Sequence, residues 1–175
     1  MEIKNRSLLN RYNRTFSFLE KVVTKDDIIL DLGIRNLFSE FLEEKGYHVE
    51  NTKGEDLDLE YQDYINFEAD VVTAFEIFEH MLAPYNILRN LKQDKLIASV
   101  PLKLWFAEAY WNVKDDRDKH YHEFEIKQFN FLLEKSGWKI LRSETWKSAD
   151  WRKPGIRPLL RHLYPRYYIV YCERI

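Results

Sequence analysis

The sequence predicts an α/β protein built on a buried parallel sheet. Three observations carry this. Ile28-Ile29-Leu30-Asp31-Leu32-Gly33 is a short apolar run ending in an acid and a glycine, and Phe38-Ser39-Glu40-Phe41-Leu42 follows with apolar residues at helical steps. That is the pattern of a buried parallel strand turning into a helix. Val71-Val72-Thr73-Ala74-Phe75 and Leu96 to Val100 repeat the buried-strand pattern with a helical stretch between them. Two further strand-like runs, Trp138 to Trp146 and Tyr167 to Cys172, close the chain.

In order, Ser7 to Val23 places Leu8, Leu9, Tyr12, Phe16, Leu19 and Val22 at three- and four-residue steps, an amphipathic helix. The first strand is Ile28 to Gly33. Its helix runs from Leu37 to Lys45 and is closed by Gly46, where a helix terminator belongs. Tyr47 to Thr52 is the second strand. Between Gly54 and Ala69 there is too little chain for another strand-helix-strand unit, which takes roughly 30 residues. At most, a short strand at Leu57 to Glu60 fits. Val71 to Phe75 is the next strand, and Pro84 starts a helix through Leu91 with Tyr85, Leu88 and Leu91 on one face. Leu96 to Val100 follows, stopped by Pro101. Ile126, Phe129, Leu132 and Leu133 mark a helix from Glu125 to Lys135 that ends at Gly137.

Bulk properties exclude several classes. The 175 residues are read as one domain, 1–175, with an N-terminal helical segment (1–24), an aromatic segment (102–124) and a basic loop (147–166). The net charge of −2 argues against a polyanion binder, so nucleic acid is not an expected partner. No apolar run reaches the roughly 20 residues that cross a bilayer. Cys172 is the only cysteine, so no internal disulfide forms, and a cytoplasmic location is expected.

Laid out this way, the chain resembles the class I S-adenosylmethionine-dependent methyltransferases of the small-molecule branch. The residues carrying the resemblance are Ile29-Leu30-Asp31-Leu32-Gly33, Ala69 to His80, Leu88-Arg89-Asn90-Leu91 through Leu96-Ile97-Ala98-Ser99-Val100-Pro101, His122-Glu123-Phe124, and Leu132 to Trp138. The resemblance implies a Rossmann-like three-layer αβα sandwich, with a mostly parallel seven- or six-stranded sheet and an antiparallel last strand. It implies S-adenosylmethionine as cofactor and a small-molecule methyl acceptor. Asp31, Gly33, Asn36, Phe75 and Glu76 are then the cofactor-binding candidates, with His80 or His122 as the catalytic base. Three positions depart from the family pattern. Arg35 and Leu37 stand where it has glycines, and Lys53 stands near the acid that holds the ribose hydroxyls, leaving Glu55 or Asp56 as substitutes. These departures motivate an alternative: a non-catalytic scaffold of the same fold that has lost the cofactor site and binds an anion or a partner.

Single residues keep two readings each. Asp31 organises the turn beneath a ligand or caps the following helix. Glu79-His80 supplies a proton acceptor or a solvated helix start. His120 and His122, on one face if extended, join Glu79 or His80 in a metal site or form part of a lid. No other ligand spacing exists, and no metal is expected. Trp105, Tyr110 and Trp111 wall a crevice or form a satellite core. The basic stretch with Lys147, Arg152, Lys153, Arg157, Arg161 and Arg166 contacts an anion or is simply solvated.

Overall fold

The structure is a computed structural model that describes residues 6–148 and 156–175. Strands β1 (Ile28–Ile34), β2 (His48–Thr52), β3 (Val71–Phe75), β4 (Lys95–Pro101), β5 (Trp138–Trp146) and β6 (Tyr167–Arg174) form one sheet in the order β2-β1-β3-β4-β6-β5. The first four are mutually parallel, and β6 runs antiparallel to both β4 and β5.

Period-two alternation in the strands gives the sheet two apolar faces. Leu30, Leu32, Val72, Ala74, Leu96 and Ala98 face the helices α3 (Pro84–Asn90) and α4 (Ile126–Lys135) through Ile87, Leu88, Phe129 and Leu133. Ile29, Val71, Ile97 and Ile169 face α1 (Arg6–Leu19) and α2 (Leu37–Glu44) through Phe18, Leu19, Phe38 and Leu42. The result is the expected three-layer sandwich.

Helix ends follow local chemistry. The Asn36 side chain caps α2 by accepting from the Phe38 and Ser39 amides. Gly46, at φ 88°, turns the chain out of that helix in a conformation other residues rarely adopt. In α3 the inward residues are Pro84, Ile87 and Leu88, whereas Tyr85 is exposed.

Two expectations are corrected. Leu57 to Glu60 is not a strand: the Asp56 carbonyl accepts from the Leu59 and Glu60 amides and its carboxylate from the Asp58 amide, so local hydrogen bonds hold a turn instead. Only a short 3₁₀ turn, Tyr61–Asp63, lies between β2 and β3, and the sheet has six strands. The stretch before the last strand is not all loop either, because it contains helix α5 (Ile156–Leu163). Pro158 falls in its first turn, where a missing N–H costs no intrahelical bond. Asp150, Arg152 and Lys153 of the basic stretch lie outside the described residues, as do 1–5 of the N-terminal segment.

Candidate functional site

The chain leaves β1 toward β2 on one side and returns to β3 on the other, which opens a crevice at the carboxyl ends of β1 and β3. A cavity of about 340 Å³ lies there. Its walls come from the end of β1 (Leu32, Gly33, Ile34), from the chain after β2 (Thr52 to Asp58 without Lys53), from Ile77 and His80 to Leu82 after β3, and from Asp116, Arg117 and Tyr121.

Gly33 forms part of the floor. A β-carbon there would stand 3.4 Å from Asp31 Oδ2 and 3.4 Å from Ile77 Cδ1, in ordinary contact, but a longer side chain would enter the cavity. Asp31 sits beneath it, 7% exposed. Its Oδ1 accepts from Thr73 Oγ1 at 2.7 Å and its Oδ2 from Asn51 Nδ2 at 3.1 Å. Burial pushes the Asp31 carboxyl up to about 7, against the pull of those two donors. Asn51 also donates to the Gly33 carbonyl at 2.9 Å and so ties the floor to β2. Sequence reasoning missed Asn51. The only signal was positional, since it pairs with Asp31 in the parallel register.

The other cofactor candidates lie elsewhere. Asn36 spends its carbonyl on the α2 cap and its amide on the Ile34 carbonyl at 3.1 Å. Phe75 packs edge-on against Phe38, 5.3 Å between ring centres, on the α1–α2 side of the sheet. Glu76 adopts a left-handed backbone at φ 58°, a conformation costly for a residue with a side chain and concentrated at functional sites. Its carboxylate is held by Arg11 of α1. Burial raises the Glu76 carboxyl, and Arg11 opposes the shift.

Two of the three departures from the family pattern, Arg35 and Lys53, have a structural account. Arg35 does not reach the cavity: its guanidinium meets Glu43 on α2. Gly54, at φ 96°, turns the chain after Lys53 so that Glu55 and Asp56 face the cavity. A β-carbon at Gly54 would lie 3.0 Å from Ile34 Cδ1, and its carbonyl accepts from Arg117 at 3.0 Å. The Glu55 carboxyl is held below its usual range, chiefly by the Tyr64 hydroxyl.

His80 lines the cavity, with Nδ1 3.0 Å from the Lys119 carbonyl. Burial and the neighbouring His120 both lower its pKa, which favours the neutral ring. His122 is not part of the lining: Nε2 lies 3.3 Å from the Leu82 carbonyl and the ring stacks on Phe124. The two histidines of the 102–124 segment diverge because that segment is bent rather than extended. The amides of Tyr121 and His122 both donate to the Glu79 carbonyl, at 2.8 and 3.2 Å. His120 therefore packs on His80, and Tyr121 joins the cavity wall. Trp105, Tyr110 and Trp111 do not wall the crevice. Trp105 packs on Phe106 and Tyr164, Tyr110 on His120, and Trp111 on Tyr121.

Solved structures with the same arrangement decide the fold. An S-adenosylmethionine-dependent methyltransferase from Archaeoglobus fulgidus superposes with a TM-score of 0.65 at 14% identity, over 97% of this chain and 95% of that one. The fold is that of the class I methyltransferases. A second methyltransferase, from Mesorhizobium loti, matches at 0.59 and 14% identity over 91% and 97% of the two chains. The cyclase SpnF superposes as well, at 0.59 and 15% identity over 98% and 85%. No protein-family model matches the chain, and no curated protein matches it in sequence. No helix among the described residues is long and apolar enough to cross a membrane.

Proposed function

We propose that the protein is an S-adenosylmethionine-dependent methyltransferase acting on a small-molecule acceptor. The observation that carries this reading is the cavity over Gly33, placed between the ends of β1 and β3 and open despite Arg35. Glu55 and Asp56 on its wall supply acceptors for ribose hydroxyls, the part Lys53 cannot play. Leu57, Ile77, Met81 and Leu82 give the apolar lining that suits an adenine ring. The residues present fit the cofactor.

When bound, S-adenosylmethionine supplies a methyl group already activated by its sulfonium. The chain's work is then alignment, exclusion of water and, for a protic acceptor, removal of one proton. His80 suits the last task, because the Lys119 carbonyl takes its Nδ1–H and leaves Nε2 free to accept. Gly33, through its small size, would leave room at the β1 turn for the methionine portion of the cofactor. Tyr121 and Arg117 add to the cavity wall from the 102–124 segment. The scaffold alternative loses its main support, since Arg35 is engaged outside the cavity. The buried, unpaired Cys172 suits the cytoplasm.

Calorimetric titration with S-adenosylmethionine and S-adenosylhomocysteine tests the reading. Saturable binding that Gly33→Leu abolishes supports it. No heat and no thermal shift at millimolar ligand, or binding indifferent to Gly33→Leu, rejects it.

A further inference from the structure

We infer that Glu79, His80 and His120 form a binding site for one divalent transition-metal ion of the zinc type. Glu79 follows β3 and has no exposed surface, yet neither carboxylate oxygen has a hydrogen-bond partner among the described residues. Buried polar groups are almost always satisfied, so an acid orphaned at both oxygens calls for a partner. Two imidazoles stand beside it. His80 Nε2 is 3.8 Å from Glu79 Oε1, and the His80 and His120 rings meet edge to face with centres 4.9 Å apart. One potential ligand atom from each of the three residues lies within 4.8 Å of the other two.

The surroundings are those that hold metal-binding histidines. His80 Nδ1 faces the Lys119 carbonyl at 3.0 Å, and His120 Nδ1 faces Glu123 Oε1 at 2.9 Å. A carbonyl or carboxylate accepting from Nδ1–H is the arrangement that orients a ligating imidazole. The local charge points the same way. Glu76 and Glu123 stand nearby, Glu76 held by Arg11 and Glu123 3.9 Å from Arg166, so the neighbouring cations are already engaged with other acids than Glu79. A divalent cation, displacing the carboxyl proton, supplies the missing contacts of Glu79.

Two imidazoles and one carboxylate are a zinc-type donor set with room for a fourth ligand. In a tetrahedral site, ligand atoms lie ~3.3 Å apart, as bonds of about 2.0–2.1 Å require. Binding would draw the ligand atoms together from their present spread of up to 4.8 Å. His80 also lines the cavity, so the ion would sit beside it. A cation on Nε2 and a proton on Nε2 exclude each other, and in the metal-loaded protein the ion rather than the imidazole would acidify a bound hydroxyl or water. The site rests on these side chains alone and stands whether or not the cavity takes S-adenosylmethionine.

The test uses the full chain, stripped with a chelator and titrated with Zn²⁺ by calorimetry and with Co²⁺ by visible absorption, with bound metal counted by elemental analysis. The expected result is one ion per chain and the absorption band of a low-coordinate Co²⁺ centre. Glu79→Gln, which keeps the side-chain shape, and His120→Ala should each weaken binding at least tenfold, and Glu123→Ala by about tenfold or more. His48→Ala, on the exposed edge strand, should leave it unchanged. Failure to take up either ion, or equal affinity in wild type, Glu79→Gln and His120→Ala, overturns the site. Because Glu79→Gln preserves volume, the result can be read even if His120→Ala fails to fold.

Discussion

The Arg35 guanidinium meets the Glu43 carboxylate at two points, with both nitrogen–oxygen distances at 2.5 Å. This contact turns the cation of the β1–α2 turn along the outside of α2 and away from the cavity. Arg35→Ala should therefore leave the affinity for S-adenosylmethionine unchanged, as measured by calorimetry. It should barely change the melting temperature, because the pair is solvent-exposed.

Gly33 is set apart by size rather than backbone geometry. Its β-carbon position is in ordinary contact with Asp31 and Ile77, so Gly33→Ala should fold normally and bind cofactor with modest loss. Gly33→Leu should fill the floor of the cavity and remove detectable binding while retaining the melting temperature within a few degrees. Parallel thermal and calorimetric titrations separate the two effects.

Asp31 links stability to pH. Its folded-state value, about 7, lies above the ordinary 3.8 because burial disfavours the charge. The folded protein thus holds a proton that the unfolded chain releases, so this contribution is complete below about pH 3.8 and is lost as pH rises toward and through about 7. Glu79, raised by burial and by Glu76, acts in the same direction. Urea unfolding across this range should show stability falling with pH, and Asp31→Asn should flatten the slope even if it lowers the absolute value.

The Thr73 hydroxyl is the fully buried donor to Asp31 Oδ1, at 2.7 Å. Thr73→Val keeps the shape and deletes the donor. It should cost about 1–3 kcal/mol in chemical denaturation, the penalty for a buried acceptor left unsatisfied.

Asn36 serves α2. Asn36→Ala should cost about 1 kcal/mol of stability, the usual loss of a helix N-cap. If Asn36 held cofactor, the same substitution would instead act mainly on binding, and calorimetry distinguishes these outcomes.

Much of the architecture was legible because it is written in short-range patterns. Val71–Phe75 and Trp138–Trp146 are strands at their expected bounds, and Leu37–Glu44 stops where Gly46 predicts. Apolar period and terminators depend on near neighbours, so they survive in one dimension. Leu57 to Glu60 misled because its apolar residues were counted without the competing hydrogen bonds of Asp56. The helix at Ile156–Leu163 was hidden by its proline and its charges.

By itself, then, the sequence determined the order of the six strands and of helices α1 to α4, and it placed the glycine and the acid at the end of β1. The tertiary structure decided the partners. Asn51 reaches Asp31 only through the register of β2 on β1. Glu55 and Asp56 face the cavity only because Gly54 turns the chain. His120 rather than His122 meets His80, because two amides anchored on the Glu79 carbonyl bend the intervening segment. The Asn51–Asp31 and His120–His80 contacts join residues distant in the chain, and their geometry is set by the packing of the whole sheet and its loops, which no local pattern records.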